Sequence, residues 1–133
     1  MATLSMTVLS VGIRNESKAL ETLPVRLLVM DSGAEAVRHL FENEIDIVIS
    51  GWNLTDMPGG MLLKKIIDAK PNMPTVAFIE PGNREQEITA RSLGVTAILN
   101  EDIDELCFRS TLCQILHIDD VSMLSVCRTQ LGA

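Results

Sequence analysis

A dense group of acidic side chains stands late in the chain, where Glu101, Asp102, Asp104 and Glu105 fall within five consecutive positions. Carboxylates so closely spaced can bind a hard divalent cation when further oxygen ligands join them. The same residue types, placed just before an amphipathic segment, can instead cap a helix and complement its dipole. We favour the capping interpretation.

Three other side chains could accept a phosphoryl group: Ser10, Ser50 and Asp56. The two serines fall within predicted strands and Asp56 within a loop, so we favour none of them. The sequence has no glycine-rich phosphate loop, no nucleophile elbow and no HExxH motif. We therefore expect a protein that is not an enzyme and that needs no cofactor.

These residues are positioned by short apolar runs that alternate with helical patterns along the chain. Five such β-α units predict an α/β fold, a three-layer sandwich of the flavodoxin-like (βα)5 type with a parallel sheet of order 2-1-3-4-5. In the helix that Pro81-Gly82-Asn83 opens, we expect Ile88 and Leu93 to face inward. The predicted strands cover residues 6–11, 25–30, 45–50, 75–79 and 95–99, and the other predicted helices cover residues 16–23, 34–43, 60–69 and 103–116.

The length of 133 residues suits a single domain with a hydrophobic core. We place that domain at residues 5–117 and interpret residues 118–133 as a C-terminal extension or linker. The net charge of −7 disfavours nucleic acid and anionic membranes as partners. No apolar run reaches the roughly 18 residues of a membrane span. Three irregularly spaced cysteines argue against a disulfide framework, so we expect a cytoplasmic protein.

The segment DIVISGWNLTDMPGG, which begins at Asp46, resembles a motif of the receiver domains of two-component response regulators. Its family pattern is D-hydrophobics-D-x-x-hydrophobic-P-x-M-D-G. Two more segments are similar to the family: MPTVAFIEPGNREQEITARSLGVTAIL resembles the fourth strand through the fifth, and DSGAEAVRHL the opening of the second helix. The resemblance covers nearly the whole chain, from about Thr7 to His117.

The resemblance implies a phosphorylation site at the carboxyl ends of the strands, formed by an acceptor aspartate, an acidic pair for Mg²⁺, a hydroxyl and a lysine. A fifth-strand aromatic residue usually accompanies them as a switch. Each of those positions carries a different residue type here. The acceptor position is Gly51, the acidic pair Gly12 and Ile13, the hydroxyl Ile79, the lysine Glu101 and the aromatic switch Ile98.

These replacements predict a degenerate receiver that acts without phosphorylation, through contacts with a protein partner or a second copy of itself. In this family the face built from the fourth helix, fifth strand and fifth helix commonly carries such contacts. We call it the C-terminal face; here it comprises residues 84–91, 97–99 and 105–116. Two alternatives stay open: a sensor that binds another ligand or phosphoryl donor in the remodelled pocket, and the N-terminal fragment of a larger response regulator.

Two residues of the motif allow two interpretations each. Gly51 could permit close backbone approach by a ligand, or nothing at this position selects for a side chain. Trp52 is the only tryptophan, and either anchors a partner at the surface or packs within its loop.

Overall fold

A computed structural model describes residues 6–13 and 25–116, and the helix predicted at 16–23 and the segment 118–133 lie outside these ranges. Within them the chain alternates strands and helices. The strands are β1 (Met6–Val11), β2 (Val25–Met30), β3 (Ile47–Gly51), β4 (Thr75–Ile79) and β5 (Ala97–Asn100). The helices are α1 (Gly33–Glu42), α2 (Met61–Ala69), α3 (Arg84–Leu93) and α4 (Glu105–Leu116).

The five strands form one parallel sheet in the order β2-β1-β3-β4-β5, which confirms the predicted flavodoxin-like topology. Residues of β1 have partners on both sides: Val8 lies opposite Leu27 of β2 and Ile47 of β3. Continuous apolar runs suit such strands, because helices cover both faces of a parallel sheet.

The alternation of side chains along each strand divides the core between the two faces of the sheet. One cluster joins Val8, Ile49 and Phe78 to α4, where the Phe78 and Phe108 rings meet edge to face at 5.1 Å. The strand residues between them face the opposite way and pack against α1, α2 and α3 in two further clusters. The carboxyl ends of the strands are therefore held from both faces.

Several element boundaries differ from the prediction by one to three residues. The third strand begins at Ile47 and not at residue 45, because Asp46 bonds β1 from outside the ladder: its carboxylate accepts from Thr7 N at 2.7 Å. The fifth strand covers Ala97–Asn100, and the last helix begins at Glu105.

The prediction that Ile88 faces inward is wrong, since 59% of its side chain is exposed. Ile88 and Leu93 are five positions apart, which places them about 140° apart around a helix of 3.6 residues per turn. The inward side of α3 carries Ala90, which is fully buried, and Leu93, which packs against the cluster around Trp52.

The bonding of the described cysteines differs in part from what we expected of a chain without a disulfide framework. Cys107 is disulfide-bonded, whereas Cys113 is buried on α4 and is not part of a disulfide. Across residues 6–13 and 25–116, the helices are too short or too polar to cross a bilayer.

Candidate functional site

The positions singled out in the sequence meet at one end of the sheet, which we call the carboxyl edge. Gly12 and Ile13 follow β1, Gly51 ends β3, Ile79 ends β4 and Glu101 follows β5. Main-chain hydrogen bonds continue the strand order past the ladder: Gly12 N donates to Met30 O at 2.8 Å, and Glu101 N to Ile79 O at 3.0 Å. The topology thus brings the predicted positions to the same edge, as parallel strands require.

The space around Gly51 is large enough for a Cβ atom. A Cβ built there lies 3.7 Å from Gly12 O, 3.9 Å from Val11 O and 3.9 Å from Ile13 Cγ2, which are normal van der Waals distances. Its φ is not among the positive values that favour glycine. Neither the backbone nor its neighbours therefore require glycine at this position.

The two isoleucines of the carboxyl edge are buried on opposite faces of the sheet. Ile13, 4% exposed, joins the α4 cluster, and Ile79, 3% exposed, packs with Trp52, Leu63 and Ala77. The side chain of Glu101 is exposed to solvent. The structure therefore brings Gly12, Ile13 and Gly51 together, and it directs Ile79 into a separate cluster.

The donor set around Gly51 does not fit Mg²⁺, the cation that the resemblance implies for this edge. The cation prefers carboxylate and water oxygens in an octahedral arrangement. Here Gly12 and Ile13 supply no side-chain oxygen, and the neighbours of the Gly51 position are two main-chain carbonyls and a methyl group.

Trp52 and Ile98 belong to the protein interior. Trp52 is 6% exposed and packs in the cluster of Leu63, Ile79 and Ala90, so the hypothesis of an exposed partner anchor is wrong. Ile98, at the switch position, is partly buried and packs against the same cluster. Both side chains therefore stabilise the side of the sheet that faces α3.

The acidic group after β5 caps a helix, as favoured from the sequence. Asp104 stands immediately before α4, and its Oδ1 accepts from Cys107 N at 3.1 Å. This side chain satisfies one of the N–H groups that the first turn of a helix leaves without a partner. Among the residues that the structure describes, no three His, Cys, Asp or Glu side chains are grouped as a metal site would need.

The sequence offers Asp56 only as an unfavoured phosphoacceptor, and the structure places its side chain at the start of α1. Its Oδ1 accepts from Gly33 N at 2.9 Å and its Oδ2 from Ala34 N at 3.0 Å. These two main-chain donors hold the pKa of Asp56 below its usual value. The bonds join residues 22 and 23 positions apart, so no local pattern could have predicted them.

Comparisons with known proteins place this architecture among receiver folds. No family profile matches the chain. It is 29% identical over 79 residues to the transcriptional regulatory protein GlrR of Escherichia coli K12, a match that covers 59% of this chain and 18% of that protein. The chain thus spans less than a fifth of the length of this curated relative.

Solved receiver structures share the fold at low sequence identity. The signal receiver domain of an HD domain-containing protein from Pseudomonas fluorescens Pf-5 superposes with a TM-score of 0.78, at 22% identity, over 86% of this chain and 96% of that one. A CheY-like response regulator receiver domain protein from Methanospirillum hungatei JF-1 gives a TM-score of 0.73, at 17% identity, over 86% and 93%. The chain therefore has the CheY-like fold.

Proposed function

We propose that this chain is a receiver-like signalling domain of a two-component or related pathway that acts through protein–protein contacts and without phosphorylation. The CheY-like fold and the match to part of GlrR support the first half of the proposal. The second half, action without phosphorylation, is supported by the residues that lie at the carboxyl edge. Gly51 stands there among two carbonyl oxygens and an isoleucine methyl group.

Phosphoryl transfer depends on positioning and on neutralisation of negative charge. At this edge the acceptor position has no side chain, the neighbouring positions are Gly12 and Ile13, and the position after β5 is an acidic Glu101. Like charges repel, and solvent screening at the exposed Glu101 weakens this repulsion without changing its sign. A glutamate where the family has a lysine therefore opposes phosphoryl transfer. The replacements by Gly51, Gly12 and Ile13 remove the acceptor side chain and the metal-binding carboxylates that the resemblance implies.

We expect that acetyl phosphate with Mg²⁺ adds no phosphoryl group to the protein, because the carboxyl edge offers neither acceptor nor metal ligands. Intact mass before and after incubation measures this directly. Beryllofluoride with Mg²⁺ is expected to leave the fluorescence of Trp52 unchanged, since that buried ring reports on the same edge.

A base-labile phosphoryl adduct, or a Mg²⁺-dependent change in Trp52 fluorescence, would contradict the proposal and favour the alternative of a ligand or phosphoryl sensor. A conventional receiver domain treated in parallel supplies the positive control for both reagents.

The contact surface that we propose is the C-terminal face. Ile88 on α3 is 59% exposed and Leu106 on α4 is 43% exposed, so both helices of the face present a large apolar side chain to solvent. Apolar side chains in the centre of a contact contribute most to association when water is excluded around them. These two residues are the expected anchors for a partner or for a second copy.

Replacing Ile88 by aspartate is expected to weaken self-association at least tenfold, because a charge would be buried in an apolar contact. Sedimentation equilibrium over a range of protein concentrations measures the dissociation constant. Met61→Asp is the matched control, since Met61 is 47% exposed on α2 and lies outside the C-terminal face. A wild-type protein that stays monomeric, or equal effects of the two variants, would contradict a self-associating C-terminal face.

One observation favours a second candidate, an N-terminal fragment of a larger response regulator. The match with GlrR covers 18% of that protein, so the similar segment there is part of a longer regulator. The mass of the protein isolated from its own cells tests this. A mass near 14.6 kDa would exclude the larger regulator, and a greater mass would support it.

A further inference from the structure

We propose that Asp56 is a latch that fixes the loop between β3 and α2 against the start of α1 and so holds the carboxyl edge in one conformation. We call residues 52–60 the 52–60 loop. The inference does not depend on whether the protein is phosphorylated, and its test is independent of the tests above.

The first contact is between Asp56 and the first turn of α1. A helix leaves its first N–H groups without acceptors inside the helix. Ser32 serves one of them, since its Oγ accepts from Glu35 N at 3.1 Å. Asp56 serves the two at Gly33 and Ala34, one with each carboxylate oxygen. A carboxylate is the favoured occupant there, because the helix dipole adds positive potential.

Close packing on both sides of Asp56 completes the contact. A Cβ built at Gly33 lies 2.5 Å from Met57 Sδ, so Met57 covers the first residue of α1 directly. A Cβ built at Gly12 lies 2.6 Å from Leu54 Cδ2, so Leu54 covers the end of β1 in the same way. The 52–60 loop therefore contacts two elements, β1 and α1, that are not its direct neighbours in the chain.

Internal hydrogen bonds make the 52–60 loop a unit. Leu54 N donates to Met57 O at 3.2 Å, Gly59 N to Asn53 Oδ1 at 2.8 Å, and Gly60 N to Trp52 O at 2.9 Å. Because these three hydrogen bonds join the two ends of the loop, we expect the loop to move as one unit. Release of Asp56 from α1 would therefore shift the whole segment that directly follows Gly51.

The latch fixes the conformation of the carboxyl edge through groups of the protein itself. Charge-assisted hydrogen bonds are about twice as strong as neutral ones. Two of them join the exposed Asp56 to the main-chain donors of Gly33 and Ala34, which have no acceptor inside the helix.

The test compares Asp56→Ala and Asp56→Asn with Asp68→Asn, a matched change at an exposed carboxylate on α2. Amide hydrogen exchange is followed residue by residue by NMR. We expect exchange at Gly33 and Ala34 to accelerate at least tenfold in Asp56→Ala, by a smaller factor in Asp56→Asn, and not at all in Asp68→Asn. Phe78 N, in the buried strand β4, is the internal reference.

Two outcomes would overturn the latch. One is unchanged exchange at Gly33 and Ala34 in Asp56→Ala, which would mean that the two hydrogen bonds do not protect these amides. The other is an equal acceleration at Phe78, which would mean that the substitution lowers global stability instead of releasing the loop. A selective effect on the start of α1, with a changed Trp52 emission, supports the proposal.

Discussion

Replacing Gly60 by alanine is expected to lower the free energy of unfolding by about 2–4 kcal/mol, the sum of a left-handed backbone and an overpacked contact. Gly60 has a φ of +79°, and a Cβ built there lies 2.5 Å from Trp52 Cη2 and 2.8 Å from Cζ2 and Cζ3. The Trp52 ring cannot easily move away from the added methyl group, because it is buried against Leu63 and Ile79.

Gly59→Ala is the matched control for that experiment. Gly59 has a φ of +69°, but a Cβ built there meets nothing within 4 Å. This control isolates the backbone cost, which we expect to be about 1 kcal/mol. Urea unfolding followed by Trp52 fluorescence gives both values. Equal losses in the two variants would show that the ring yields to the methyl group and that the packing does not depend on Gly60.

The strands could be predicted from the sequence because each is a short apolar run bounded by turn-forming residues. The bounds of β1, β2 and β4 agree with the prediction, and the order of the sheet follows from right-handed crossovers. The prediction for Ile88 fails because α3 has few apolar residues to define its inward face. Ile88 and Leu93 do not share a helical face, so they cannot both point into the core.

The carboxyl edge was predictable in position but not in packing. Parallel strands bring their ends together, which places Gly12, Gly51 and Ile79 at one edge. Which face each side chain enters depends on the register at the last residue of the strand. A shift of one position moves a side chain to the other face. Ile13 and Ile79 therefore belong to different clusters, a fact that spacing alone does not contain.

The fixed conformation of Trp52 and the role of Asp56 depend on contacts between distant parts of the chain. Trp52 is buried in a cluster with Ala77, Ile79 and Ala90, and Asp56 bonds the start of α1 across 22 and 23 positions. Sequence patterns report local periodicity, and long-range side-chain contacts leave no such signal. The motif indicated where the loop lies but not what holds it.

Gly51→Asp is expected to lower the free energy of unfolding at pH 7 by about 2–4 kcal/mol relative to Gly51→Ala, because it buries a carboxylate without a partner. The Cβ itself fits, so Gly51→Ala should be neutral or stabilising by up to about 1 kcal/mol. The additional atoms of aspartate would extend past Gly12 O, Val11 O and Ile13 Cγ2, the three atoms nearest to the Cβ, none of which is a hydrogen-bond donor.

The pH dependence of that loss has a definite sign. Burial raises the pKa of the introduced carboxyl in the folded protein above its value in the unfolded chain. The folded state then binds the proton more tightly, so the loss is complete above the raised pKa. It shrinks as the pH falls from that pKa towards about 3.9, the ordinary value for aspartate. Urea unfolding of both variants at several pH values measures the change.

Adding Mg²⁺ and acetyl phosphate to Gly51→Asp tests whether the site differs from that of a phosphorylated receiver at one position or at several. If Gly51 were a single lost residue, Gly51→Asp would regain Mg²⁺-dependent stability and an added phosphoryl mass. We expect neither, because Gly12 and Ile13 supply no carboxylate for the metal and Glu101 repels the phosphoryl charge. Under the proposed function, one introduced aspartate does not create the chemistry, because the positions that the resemblance assigns to the metal pair and the lysine are Gly12, Ile13 and Glu101.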